Sequence, residues 1–253
     1  ARWYKCPKYP VYWQMLCLNL APIMCGRYSF FTPIPEAEAA LQVKAVPHEG
    51  WQPNYNGAPS QAMPVITNEF PGVIQFFRWG LVPSWAKEPS IGYKMINTRA
   101  ESIEEKPAFR NIFKYRRCVV PADGYYEWQQ PEAGQAGKPK GKVAKQAWRF
   151  CLPDGDLMLM AGLWATWGQQ GLQTFSIITC PANLQVQPIH HRMPALLSYT
   201  EATKWLSNQT PPAELLTMLK PAPEELLTAY RISALVNKPG NNLPEVIDPE
   251  AAD

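Results

Sequence analysis

The chain has 253 residues, a formal charge of +3, 46% apolar and 18% charged content, ten Trp and 27 Pro. That is long enough to bury a sizeable core, and the prolines divide it into many short elements. No run approaches the roughly 18 apolar residues of a membrane span, and the small net charge does not by itself establish an anionic partner. The six cysteines form no CxxC pair and with three histidines give no zinc spacing, which favours free thiols in a reducing, cytoplasmic setting.

Residues 1–23, ARWYKCPKYPVYWQMLCLNLAPI, carry Arg2, Lys5 and Lys8 and no acidic residue. As a secretory signal the segment is poor, because Gln14 and Asn19 interrupt its apolar part. A propeptide or extra arm is a second reading. The preferred one is that translation begins at Met24. From Cys25 onward, short apolar runs between Gly, Pro and Asp-Gly outnumber helical patterns, which predicts one β-rich α+β domain over 24–246 with a short tail, 247–253.

Strands are predicted at Val73–Phe77, Met95–Thr98, Cys118–Val120, Tyr125–Trp128, Trp148–Leu152, Leu157–Trp164 and Thr174–Thr179. Helices are predicted at Pro35–Val43, Thr200–Leu206 and Pro212–Leu219. Ser102 and Glu105 have capping-box spacing, with Pro107 breaking that helix or opening a second one. Residues 129–146, rich in Gly, Gln and Lys, read as a mobile surface insertion.

Five stretches carry groups capable of chemistry. Cys25, if it becomes the first residue, joins an α-amine of pKa about 7.7 to 8.0 to a thiol on the adjacent carbon. Such a pair attacks an aldehyde to give an imine and then closes a thiazolidine; otherwise Cys25 is a small buried hydrophobe. In MINTRAES (95–102), period-two geometry sets Asn97, Arg99 and Glu101 on one strand face, suited to a phosphate and a sugar or simply to solvent.

In VVPADGYYEW (119–128), Glu127 between Tyr126 and Trp128 is either a partly desolvated proton carrier or an outward-facing carboxylate. IHHRMPALL (189–197) sets His190 and His191 beside Arg192, as an acid/base and anion-binding cluster or as loop surface; His48 reads as a loop residue. FRWGLVPSWAK (77–87), with Arg78, Trp79, Trp85 and Lys87, suits single-stranded nucleic acid or core packing. Arg110, Lys114, Arg116 and Arg117 either extend that surface or solvate a helix end.

Taken in order, MCGRY, PNYNGAPSQ, RWGLVPSW, INTRAES, RRCVVPADGYYEW, HHRMP and RISALVN resemble the SOS-response-associated peptidase (SRAP) family of abasic-site processing proteins, from Met24 to about Val246. The resemblance implies a compact β-rich α+β fold with barrel-like mixed sheets and a groove for single-stranded DNA. It also implies a covalent crosslink from an N-terminal cysteine to abasic sites.

Carried over by motif, Cys25 is the nucleophile, Asn97 bonds at the lesion and Arg99 binds its phosphate. Glu127 relays protons, and His190, the first position of H-x-R-M-P, opens the sugar. Arg27, Trp79 and Arg192 line the groove. The implied partner is single-stranded DNA containing abasic sites, bound by a monomer with no metal, no cofactor and no membrane. The departure is the segment before Cys25, since a peptide amide forms no imine; initiation at Met24 or autoproteolytic processing before Cys25 would remove it. Two rival readings are a cysteine peptidase or thiol hydrolase using Cys25, His190 and Glu127, and a non-catalytic single-strand binding module.

Overall fold

The computed structural model describes residues 26–47, 51–130 and 145–250. In chain order the strands are β1 (Tyr28–Phe30), β2 (Lys44–Ala45), β3 (Asn54–Gly57), β4 (Ala62–Thr67), β5 (Val73–Trp79), β6 (Asn97–Arg99), β7 (Arg117–Ala122), β8 (Gly124–Gln129), β9 (Gln146–Cys151), β10 (Met158–Trp167), β11 (Leu172–Pro181), β12 (Arg192–Pro194), β13 (Leu196–Leu197) and β14 (Thr228–Ile232). Four α-helices accompany them among the described residues: α1 (Ile34–Leu41), α2 (Pro107–Tyr115), α3 (Tyr199–Leu206) and α4 (Pro212–Thr217). The β-rich α+β expectation agrees with this architecture.

β11, β10, β7, β4 and β5 pair in that order, and a parallel pairing of Thr174 with Arg78 and Phe175 with Trp79 closes the ring into a barrel. Closure removes the sheet edges. It also explains the unbroken apolar runs: β10 is buried from Met158 to Ala165, because one face fills the barrel while α2 and α3 pack outside it. Val120, Met160, Leu163 and Phe175 have no exposed surface, and each side chain of that kind contributes roughly 1.5–3 kcal/mol on burial. A second sheet, β14-β9-β8-β1-β3, carries the opening segment of the described chain in its interior.

Local chemistry sets the element ends. Pro107 opens α2 at its first turn, where its missing N–H is not needed. The capping-box spacing at Ser102 does not start a helix; the Ser102 hydroxyl bonds the Arg99 carbonyl within a 3₁₀ turn. A true capping box occurs at Ser198 and Glu201, whose side chains and backbone N–H groups bond reciprocally at the start of α3. Gly80 has a φ of +116°, and a Cβ there would meet the Gly92 carbonyl oxygen at 2.7 Å, so RWGL needs glycine for a backbone-to-backbone contact. The body of the Gly/Gln/Lys-rich segment, 131–144, lies outside the described residues, and strands β8 and β9 flank it. At the C-terminus, Pro249 bridges to Ile232, and the Glu250 N–H donates to the Arg231 carbonyl.

Candidate active site

β8 contributes the carboxylate. Successive side chains point to opposite faces of a strand, so Tyr126 and Trp128 project away from the side that Glu127 occupies. Tyr126 packs in a small apolar cluster with Ala147, Ile232, Val236 and Val246, and its hydroxyl donates to the Tyr55 carbonyl at 2.6 Å. Glu127 is nevertheless only 2% exposed. Both faces of β8 are covered, so its desolvation does not come from the two aromatics beside it in sequence.

His190 arrives from a turn that is fixed independently of the site. Asn183 is buried, accepts from the Val186 N–H at 3.0 Å and donates to the Ala222 carbonyl at 3.0 Å; the His190 N–H then donates to the Val186 carbonyl at 2.9 Å. This brings Nδ1 of His190 to 3.8 Å from Oε1 of Glu127. His191, next in sequence, is exposed. Burial, the largest influence, pushes the His190 imidazole below its ordinary pKa; the Arg192 backbone pulls the other way, and the positive charges of His191, Lys145 and Arg192 add to the lowering. At neutral pH the contact with Glu127 is therefore not an ion pair.

Arg192 begins β12 and holds this corner. Its Nη1 and Nη2 donate to Oε1 and Oε2 of Glu101 at 2.6 and 2.9 Å, and Nη2 also reaches the carbonyl and hydroxyl oxygens of Thr179. The Arg192 backbone N–H and carbonyl both lie 3.2 Å from Nδ1 of His190. Hydrogen bonding from Arg192 draws the Glu101 pKa down against partial desolvation. Nε2 of His190 and Nε of Arg192 have no hydrogen-bond partner among the described residues.

The predicted face of Asn97, Arg99 and Glu101 is corrected. β6 ends at Arg99, pairing in parallel with β11 through Asn97–Ile177 and Arg99–Thr179, and the chain then enters the 3₁₀ turn Ala100–Ser102. Asn97 is half-buried and Arg99 exposed on the strand, whereas Glu101 joins the site through Arg192. Nothing in an alternating pattern signals that turn.

Arg27 sits just before β1. Its carbonyl accepts from the Tyr126 N–H at 3.0 Å, and Nη1 donates to Oδ1 of Asn56 and to the Val236 carbonyl. Cys25, the expected nucleophile, and His48 lie outside the described residues.

Trp79 is also corrected. It is 1% exposed, stacks on Phe175, and donates its indole N–H to the Ile96 carbonyl at 3.0 Å; it supports the barrel wall and offers no free ring face. Trp85, 63% exposed, keeps one, and Arg78 lies over Tyr93 nearby in sequence. Of the basic quartet, Arg117 is buried and closes helix ends, while Arg116 lies over Trp164 at 4.6 Å.

Among the described residues no group of three or more His, Cys, Asp or Glu is arranged to hold a metal, and no helix is long and apolar enough to cross a membrane. A mostly apolar cleft of about 610 Å³ beside Leu41, Met158, Leu197 and Tyr199 shares no lining residue with the site.

The sequence profile of the SOS response associated peptidase (SRAP) family matches residues 24–239. Abasic site processing protein YoqW of Bacillus subtilis (strain 168) is 38% identical over 231 residues, 89% of this chain and 99% of that protein. Abasic site processing protein HMCES of Xenopus tropicalis is 34% identical over 221 residues, 77% of this chain and 65% of that protein. A crystal structure of a Bacteroides thetaiotaomicron protein superposes with a TM-score of 0.79 at 28% identity, covering 90% of this chain and 100% of that one. A Bordetella bronchiseptica protein structure, at 21% identity with a TM-score of 0.68, covering 83% of this chain and 100% of that one, shares the fold. The chain belongs to the SOS response associated peptidase family.

Proposed function

We propose that the protein processes abasic sites in single-stranded DNA by forming a covalent adduct through Cys25 in a form of the chain that begins at that residue. The observation that carries this reading is the buried His190–Glu127 pair, 3.8 Å apart, one strand position from the N–H that anchors Arg27. Cys25 precedes Arg27 by two residues, and consecutive Cα atoms are about 3.8 Å apart. An anchored Arg27 thus favours a terminal amine within range of the pair. The names of the relatives give abasic sites as what those proteins process, in line with this reading.

An abasic deoxyribose exchanges between a closed hemiacetal and an open aldehyde. His190, uncharged at neutral pH, accepts the ring hydroxyl proton and so makes the aldehyde available. The Cys25 amine adds to the aldehyde carbon and the adduct loses water to give an imine. Sulfur then bonds to the imine carbon while nitrogen takes a proton, closing the thiazolidine with a net loss of one water. Glu127 and His190 carry the protons, help typically worth about 10² to 10⁴ in rate. Arg99, exposed at the end of β6, supplies charge for a phosphate, and Asn97 an amide for the lesion. Removing the imine denies the strand the route to β-elimination, so the adduct shields the lesion.

The test compares protein beginning at Cys25 with the same protein α-acetylated and its thiol left free, each incubated with an abasic oligonucleotide. The expected result is a denaturation-resistant adduct with the free amine and none after acetylation. Equal adduct from both forms contradicts the mechanism. A thiol hydrolase built on Cys25, His190 and Glu127 would keep its activity after acetylation, which separates that rival.

A further inference from the structure

We propose that Asn56, together with residues 234–241, forms a clasp that positions the chain immediately upstream of Arg27, making Asn56 a positioning residue for the reaction; this rests on the reading above. Asn56 lies on β3 with no exposed surface. Its Oδ1 accepts from Nη1 of Arg27 at 2.8 Å, and its Nδ2 lies 3.2, 3.0 and 3.0 Å from the carbonyls of Val236, Lys238 and Asn241. One side-chain amide thus ties together segments separated by 29 and by 180 to 185 residues in sequence.

The surroundings reinforce it. Nη1 of Arg27 also donates to the Val236 carbonyl at 2.9 Å, and the guanidinium lies over the Trp128 ring at 6.0 Å. The Trp128 indole N–H donates to Oδ1 of Asn237 at 2.6 Å. The Tyr55 N–H donates to Oδ1 of Asn242 at 2.7 Å, whose Nδ2 returns a bond to the Pro53 carbonyl. Late residues from the RISALVN motif are thereby stitched across β3 and β8.

General fold adhesion does not account for the choice of target. β1 is already held on both sides, by Gly57 of β3 and by Tyr125 and Gly124 of β8. What the clasp adds is restraint on Arg27, the residue outside the strand, through its side chain from Asn56 and Val236 and through its backbone from Tyr126. A residue so held sets the direction in which the preceding backbone leaves the domain. Orientation of that kind matters to chemistry more than to binding, since misplacement by about 1 Å costs on the order of 10²-fold in rate.

The experiment compares Asn56→Ala and Trp128→Phe with the parent protein, all beginning at Cys25, by adduct rate at saturating abasic strand, affinity for an undamaged strand, reaction with a small soluble aldehyde, and amide exchange of residues 26–30. We expect Asn56→Ala to lower the saturated adduct rate by about tenfold or more, and Trp128→Phe by about threefold. Undamaged-strand affinity should change less than about twofold, small-aldehyde reactivity should be unchanged, and exchange at 26–30 should rise. An unchanged adduct rate in folded Asn56→Ala overturns the proposal, as does a loss that only tracks the folded fraction. Should Asn56→Ala fail to fold, Trp128→Phe, which removes one hydrogen bond at the rim, decides in the same way. If the parent forms no adduct, the functional reading fails; exchange at 26–30 then decides the clasp, and parent-like exchange in both variants overturns it.

Discussion

Arg117 and Arg192 are both buried, 2% and 8% exposed, and both come from basic stretches of similar appearance, YRRC and HHRM. Arg117 is enclosed by oxygen acceptors. Its guanidinium donates to the carbonyls of Trp205, Phe113, Lys114 and Ser207 and to Oδ1 of Asn208, closing the C-terminal ends of α2 and α3, and no N–H is left over. Arg192 is held by Glu101 and Thr179, yet its Nε and the neighbouring Nε2 of His190 have no partner among the described residues. Native interiors leave few buried polar groups unsatisfied. The Arg117 network is complete and serves the scaffold; at the Arg192–His190 corner two nitrogens are left over, and under the proposed function that is where the substrate completes the bonding.

The largest effects should divide along that line. Arg117→Leu leaves several carbonyls facing a hydrocarbon, so we expect a loss of about 3 kcal/mol or more, read as a fall of roughly 6–12 °C in Tm, with the adduct rate per folded molecule unchanged. His190→Gln should do the reverse: adduct formation slows by about 10²–10⁴-fold while Tm moves by a few degrees at most. If both substitutions act mainly on stability, the distinction between scaffold and site collapses.

A smaller effect concerns the rim. Replacing Arg99 with alanine should reduce the salt dependence of single-strand binding by about 0.7 in log–log slope, the share of one phosphate contact. An unchanged slope removes Arg99 from the DNA interface.

The smallest is a pH effect. Because burial lowers the His190 pKa below its ordinary 6.5, the folded protein takes up fewer protons than the unfolded chain as pH falls under that value. Stability from the neutral imidazole is therefore present at and above neutral pH and lost on acidification toward the folded pKa. Between about pH 7.5 and 5.5 the parent Tm should fall further than that of His190→Gln; parallel curves would contradict it.

Much of this was legible in the sequence, and the misses have physical causes. The strands Val73–Phe77 and Thr174–Thr179 fall within β5 and β11, because apolar runs bounded by turn residues mark buried strands whatever sheet they join. α3 was legible as well, although its S-x-x-E start at Ser198 was the signal passed over. Glu127 was singled out for the wrong reason, since Tyr126 and Trp128 face away from it and its burial depends on the closed barrel and the covered second sheet. The sequence left Trp79 open between a nucleic-acid surface and core packing, and Arg117 between that surface and a solvated helix end, because side-chain type alone does not report which strand face or helix end will enclose it. The Glu101–Arg192 link and the Asn56 clasp join residues 91 and up to 185 positions apart, and no local pattern encodes such a pairing.

The most direct test of the central claim is peptide-level mass spectrometry of protein beginning at Cys25 after reaction with an abasic oligonucleotide. The account predicts a nucleotide adduct on the Cys25 peptide whose mass equals the two reactants less one water, stable to denaturation. An adduct carried by another residue, or one formed equally well by chains that keep the segment before Cys25, would contradict it.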